Sequence, residues 1–594
     1  MRHIIYNITA LACLIGASCM EAKGQVYVGY CTDNIATTGI GNSNAEATIS
    51  CAAAFTSDGL LTNYQSCLLS QVRVGISATE GLTSLKVWVR EHLADDNLTE
   101  LEVPVEELIV GWNTLTLPES ITTSAHDTLY CGYDYTQDRK NVKVVSYGGN
   151  KNTKNSFWIA SNQKWRDYKS SYGPVSIQAG IEPVQEHALR MCDLRLDRRT
   201  QRVISQWDNS STYEPITISG RVQNLGKEPL QSFVVQNTDN GNASDSFLME
   251  VNAPCDFGQY ADFAYTLTPN PGVYITTLDI PIEIGISKPN DAADALLIDC
   301  KDTLYYDLGD KADLTFSDYY LIEEYTSEQC GYAPIGQQRL REAIEKAHRL
   351  NTGAGDNEDW QEGLVGYSTR YIVLSRHEGY GPADPWRAAG SDYDPAIFGP
   401  DKLTFAPAMT INRMRKPVST TMSADSLAQI ISSYWNYNEA FTSIEFKDVT
   451  FDAQTHKFKA SAIVNLATAI FCPEPYITMC VTQDQATSVE QKNYYPELYD
   501  GNVQMDLVRC FLQCTTGNGR LFPASDMEDI IAGRQPIGNY VDYNQYGGAY
   551  LTLDFEGSLP DDLTTLDGLT LIAYVCDRTA GGHIHGLNYK TLGK

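Results

Sequence analysis

Basic residues are in short supply in this chain: 44 Lys and Arg stand against 74 Asp and Glu, a net charge of −30 over 594 residues. So acidic a molecule repels phosphate backbones and anionic lipid headgroups, which excludes nucleic-acid binding. Charged residues make up only 20% and apolar residues reach 43%, so the chain is neither disordered nor collagen-like nor a multispanning membrane protein. After the first 17 residues no run of 18 apolar residues occurs, and the remainder is expected to be soluble. Neither a Gly-x-Ser-x-Gly elbow nor a His-Glu-x-x-His pair is found. Hydrolase chemistry therefore has no nucleophile–base or zinc constellation to start from, and the chain is expected to be non-enzymatic and without cofactors.

What is present favours β structure. Tyr (36), Gly (44) and Pro (24) are plentiful beside 10 Met, the balance of twisted sheets joined by turns. The length exceeds what one hydrophobic core supports, so several domains are expected. At the amino terminus, Arg2 and His3 precede a mostly apolar stretch from Ile4 to Ala17, which has the length of a signal-peptide core and is too short to span a bilayer. Export is expected, by one of two routes: cleavage after Gly24, or lipid attachment at Cys19 within Ile15-Gly16-Ala17-Ser18-Cys19. An exported chain can oxidise its thiols, and loss of residues 1–24 leaves 13 of 15 cysteines. Disulfides are expected within domains, among Cys31, Cys51, Cys67 and Cys131, and among Cys472, Cys480, Cys510, Cys514 and Cys576, with at least one thiol unpaired unless it bonds between chains.

Residues 25–182 read as short strands in which Leu85, Val87 and Val89 alternate with Lys86, Trp88 and Arg90. That period of two predicts a β-sandwich of jelly-roll type. Residues 183–315 continue in a strand–turn–strand rhythm, PITISGRVQNLGKEPLQSFVV being the clearest stretch, and predict an immunoglobulin-like sandwich. Residues 316–425 change character. A buried strand from Tyr319 to Tyr325 leads to Cys330, and Pro334 opens a helix whose Leu340, Ile344 and Ala347 recur at helical spacing. A second buried strand runs from Tyr371 to His377, and Pro407 stands before a third. Strand, cysteine, helix, strand, proline, strand is the order of a thioredoxin-like α/β domain. Residues 426–594 predict a further, C-terminal β-sandwich. The fold class is thus multidomain and mainly β.

The chemistry-bearing candidates are few. Cys330 sits where a helix begins, the place where free amides and the helix dipole favour a thiolate. In Cys330-Gly331-Tyr332-Ala333-Pro334, however, Ala333 occupies the position of a resolving thiol, and Glu323, Glu324 and Glu328 are expected to oppose ionisation. Pro407 is the residue expected to lie against Cys330. No catalytic residue is assigned; thiol–disulfide exchange through Cys330 as a monothiol is the alternative. Trp88, Trp112, Trp158, Trp165, Tyr168 and Tyr172 offer stacking surface, and Trp112, Trp158 and Trp165 are the candidate binding residues for an extracellular protein or glycan. No metal site is assigned: His583 and His585 lack a third ligand, while Asp392, Asp394 and Asp401, and the turn at Asp239, Asn240, Asn242 and Asp245, read as solvated loops.

Three stretches also carry resemblances. VYVGYC, VRVGI, LKVWV, WNTLTLP (Trp112 to Pro118), GYDY and Trp165 resemble the jelly-roll module related to cleaved-adhesin domains of secreted proteins. ISGRVQNLGKEPLQSF is similar to cell-adhesion-related immunoglobulin-like domains. Glu324-Tyr325-Thr326, the Cys330 helix start, Pro407 to Asn412-Arg413, Gln491 and the strand Val503 to Arg509 resemble the outer-membrane-protein family named for a member of twenty-eight kilodaltons, across residues 316–594. That resemblance implies an outer-membrane, cell-surface or secreted protein with adhesive, ligand-binding or scaffolding behaviour, held to the envelope by a lipid anchor or by envelope partners.

Overall fold

The computed structural model describes the chain except for residues 1–23, 37, 44–47, 162–163, 208–209, 240–241, 270–277, 310–318, 353–370, 378–383, 389–404, 414–416, 435–441, 467–473, 488–489, 500, 517–518, 544–547, 578–583 and 594. The leader with Cys19, Cys472, His583, Asn240, and Asp392, Asp394 and Asp401 lie outside the described residues.

The amino-terminal third is two sheets around one core. Val26–Gly29, Ile177–Glu182, Leu68–Ile76 and Gly111–Thr122 form a four-stranded sheet in that order. Thr99–Val103, Leu82–Arg90, Thr128–Gln137, Thr48–Thr56, Trp158–Ser161 and Lys164–Asp167 form one of six strands. Alternation places Leu85, Val87 and Val89 in the shared core with Phe55, Val74 and Tyr133. Trp88 points the other way yet is fully buried. Its ring lies over Gly132, where a Cβ would stand 2.5 Å from the indole, so the outer face of this sheet is itself packed.

A second pair of sheets follows the same plan. The four-stranded one contains Ala188–Leu196 and Ile216–Asn224, and the six-stranded one contains Ile280–Ser287 and Lys301–Gly309. Ile218, Val222, Phe233, Ile282 and Leu304 fill the space between them. The buried Arg199 ties this unit to the helix Met527–Ile531 and the turn that follows it. It pairs with Asp307 at 2.9 Å and with Asp279, and donates to the carbonyls of Ile530 (2.8 Å) and Gln535 (2.7 Å). A buried guanidinium needs every donor occupied, and here the partners come from three distant segments.

The last unit departs from the expected division at residue 425. Tyr320–Thr326 and Tyr371–His377 are parallel neighbours, Ala408–Ile411 is antiparallel to the first of them, and the helices Ala333–Thr352 and Ala424–Ser432 are present beside them. Ser375 also pairs in parallel with Leu507 of Val503–Cys514, so one continuous sheet runs through both segments. Every residue of Tyr320–Thr326 and Tyr371–His377 is buried, so both faces of this pair need cover. Tyr320, Ile322 and Val373 pack with Leu340 and Ile344 of the first helix and Leu427 of the second. Leu321, Ile372 and Leu374 join a core with Val508, Ile572 and Tyr574.

The expected disulfides do not form among the described residues: all twelve described cysteines are free. Register explains it. Ala53, not Cys51, faces Cys131, which leaves that pair on a diagonal of about 7–8 Å, too long to bridge. Cys480 faces Phe511 and Cys510 faces Val481, so these two thiols emerge on opposite faces of the sheet. Cys480 and Cys576 share a core, but Cys576 is level with Tyr476, about 13 Å along the strand.

Candidate functional site

Cys330 lies in the turn between Tyr320–Thr326 and the helix Ala333–Thr352. Its amide donates to Ser327 O (3.0 Å), its carbonyl accepts from Ala333 N (3.0 Å), and its half-buried thiol donates to Ala406 O (3.4 Å). The Ala406–Pro407 peptide is cis. Pro407 packs on Gly336 so closely that a Cβ there would meet the proline Cγ at 2.4 Å. Pro407 thus follows the residue whose carbonyl accepts from the Cys330 thiol. Ala333 is buried at 3% exposure, and no sulfur stands at that position.

Burial pushes the Cys330 thiol above its ordinary value of 9.0. The Glu324 carboxylate adds to this, and hydrogen bonding with the backbone at Tyr332 and Ala333 offsets only part of it. The three acids do not crowd the thiol as expected. Glu323 is on the opposite face, where Arg376 (3.0 Å) and Arg413 (2.7 Å) hold it. Burial opposes its ionisation, but the two guanidiniums outweigh that and bring it down to about 2. Glu328 accepts from Trp386 Nε1 at 3.2 Å. Of these three acids, Glu324 is the one that acts on the thiol.

Burial pushes Glu324 itself up to about 7, against a 2.9 Å hydrogen bond from Ser375 and the charges of Arg341 and His377. The folded chain therefore keeps a proton between the ordinary 4.5 and about 7 that the unfolded chain releases, and its stability falls as pH rises through that window. Glu324→Gln is expected to flatten the fall. Urea midpoints from pH 4.5 to 7.5 check it; equal slopes for both proteins refute it.

Two further contacts close the turn. His377 and Asp384, both with fully buried side chains, meet at 2.9 Å, and Asp384 also accepts from the amides of Glu328 (2.9 Å) and Trp386 (3.0 Å). Residues 491–494 cross the turn from the carboxyl-terminal strands. Gln491 Nε2 donates to Cys330 O (3.1 Å), Lys492 N to Glu328 O (3.0 Å) and Tyr494 N to Gly331 O (2.9 Å). The Tyr494 ring lies on Gly331, where a Cβ would be 2.7 Å from it. Such a strap holds the turn in one conformation. The role of Gln491 was not visible in its own neighbourhood, since its partner is 161 residues away.

The three candidate tryptophans do not gather. Trp112 is on the four-stranded sheet of the first sandwich, donating to Asp33 O (2.8 Å) with Arg73 over its ring at 4.9 Å. Trp158 and Trp165 are on the outer face of the six-stranded sheet. Trp165 meets Trp88 edge-on at 6.0 Å, and Arg90 covers Trp88 at 3.8 Å. On this face Trp88 is covered by Trp165 and Arg90, while Trp158 and Trp165 are themselves half-buried.

Comparison with known proteins adds likeness of shape at low similarity. No family model matches the chain, and no curated protein matches it. HBP35 of Porphyromonas gingivalis is 15% identical with a TM-score of 0.30, over 47% of this chain and 76% of that one. A CARDB domain from Pyrococcus furiosus is 12% identical with a TM-score of 0.15, over 21% and 91%. A β-glucuronidase of Bifidobacterium dentium is 10% identical with a TM-score of 0.18, over 60% and 62%. Scores this low carry no argument about what the chain does.

An open concavity of the first sandwich lies elsewhere, at the edge of its six-stranded sheet. A cleft of about 460 Å³ is floored by Ile49, Tyr135 and Ile159 and flanked by Asn42, Tyr168 and Tyr172, with Lys164 and Arg166 also in its lining. Of the expected solvated turns, Asp239 is instead buried at 2% and accepts from Tyr306 Oη at 2.9 Å. Among the described residues no group of three His, Cys, Asp or Glu side chains converges as metal ligands.

Proposed function

We propose that the chain is an exported, non-enzymatic protein of the outer membrane, cell surface or secreted fraction that binds an extracellular ligand and scaffolds its presentation. In this reading the first unit is a jelly roll, the second an immunoglobulin-like spacer, and the Cys330 unit a thioredoxin-like domain kept for architecture. Residues 316–594 resemble the outer-membrane-protein family named for a member of twenty-eight kilodaltons. One observation carries the reading: Ala333 stands where a second thiol would have to be, beside a Cys330 whose ionisation burial opposes. A dithiol cycle needs a thiolate to attack and a partner thiol to resolve the mixed disulfide.

Insulin reduction by the mature protein and by Cys330→Ser tests this, alongside binding of both to a panel of glycans and extracellular proteins. Neither protein is expected to reduce insulin, and both are expected to bind the same panel members. Reduction lost on Cys330→Ser would establish the monothiol alternative instead.

A further inference from the structure

We propose that the cleft at the edge of the first sandwich binds a carboxylate-bearing sugar residue. This deepens the ligand-binding reading above and rests on it. The six-stranded sheet is two strands wider than its partner, so its inner face continues past the shared core at Trp158–Ser161 and Lys164–Asp167. Register shows which side chains occupy that overhang. Ile159 faces Arg166 and Ser161 faces Lys164, while on the other side Ile159 faces Cys51 and Ser161 faces Ile49. Cys51 and Ile49 are core residues, so Lys164 and Arg166 share the inward side of the sheet. Trp165, between them, takes the outer face.

Two cations on the inward face of an edge strand call for an anion. Neither forms an ion pair with a described residue, and no described residue lining the cleft is acidic, although the chain as a whole is at −30. That excess is screened beyond about 8 Å at physiological salt, so the local pair sets the sign felt by a small ligand. Inward charges on an edge strand also discourage sheet-to-sheet pairing, but such a guard needs no aromatic wall, and this cleft has one. Tyr168 and Tyr172 are one helical turn apart and stack at 6.0 Å with planes 22° apart. Phe157 backs both rings (6.2 and 6.5 Å) and Tyr147 meets Tyr172 at 5.2 Å, so the wall is built in advance. On the other side Asn42 is anchored through its carbonyl, which accepts from Asn141 N (2.6 Å) and Gln137 Nε2 (3.0 Å).

An aromatic face for the C–H side of a pyranose, amides and Ser161 for its hydroxyls, and two cations for a carboxylate make a complementary set. The volume of about 460 Å³ lies within the ~300–1,000 Å³ of small-molecule sites. The probes are trigalacturonic acid, its methyl ester and glutarate, titrated calorimetrically against the full mature chain. The acid is expected to bind, the ester about tenfold or more weakly, and glutarate not to compete. Lys164→Gln with Arg166→Gln should weaken the acid about tenfold and leave the ester unchanged, whereas Tyr168→Leu should weaken both. Equal affinity for acid and ester, competition by glutarate, or no heat from protein with an unchanged circular-dichroism spectrum overturns the proposal. Binding of other panel members without the acid would remove this site and leave the general binding reading standing. Aggregation of the double Gln variant with undiminished acid binding would show an edge guard only, and would also overturn it.

Discussion

Arg413→Ala is expected to lower the stability of the Cys330 unit by about 3–5 kcal/mol, because it leaves a buried carboxylate with half its compensation. Glu323 is 1% exposed and Arg413 7% exposed. Arg413 supplies two of the bonds to that carboxylate, from Nε at 2.7 Å and Nη2 at 2.9 Å, and also donates to Tyr574 Oη at 3.1 Å. After truncation Arg376 alone remains, at 3.0 Å. Hydrogen exchange at the amides of Tyr320–Thr326 and Tyr371–His377 reads this unit separately from the two sandwiches. Acid adds a second signature. Since Glu323 is held at about 2 in the folded chain and near 4.5 when unfolded, its contribution is full above pH 4.5 and disappears as pH falls towards 2. The wild-type protein should lose stability across that window, and Arg413→Ala should lose less, having less left to lose. A variant within 1 kcal/mol of wild type at pH 7 would mean that water or another residue satisfies Glu323.

The parts of this fold that were legible in the sequence are those set by local period. Leu85, Val87 and Val89 declared a half-buried strand by alternation, and all three are core. The stretch Tyr371 to His377, apolar at its start and bounded by polar residues, has the pattern of one buried strand and is one. The helix predicted from Pro334 runs Ala333–Thr352, and its Leu340, Ile344 and Ala347 face the core as their spacing required.

What was not legible depends on partners far along the chain. The sheet joining Tyr371–His377 to Val503–Cys514 hangs on a pairing between Ser375 and Leu507, and neither residue marks it locally. Arg199 sits in a run of polar residues, and its carboxylate partners are 80 and 108 positions away. Cysteine count suggested disulfides because composition knows nothing of register, and register keeps those pairs apart. The candidate site shows the same division. Tryptophan draws attention by type, yet Trp158 and Trp165 lie half-buried on the face of the sheet opposite the cleft. Lys164 and Arg166 carry no local mark, and only knowledge of which face is inward turns them into cleft residues.

Architecture without redox chemistry is the claim on which the account rests, and alkylation of Cys330 as a function of pH tests it most directly. Iodoacetamide labelling of the folded mature protein, followed by mass spectrometry of the peptide containing Cys330, gives the ionisation midpoint of this thiol. The account predicts a midpoint above 9.0, with labelling at pH 7 slower than in the urea-unfolded chain, because burial and Glu324 both oppose the thiolate. A midpoint below about 7, or labelling at pH 7 faster than in the unfolded chain, would contradict it and identify a working nucleophile.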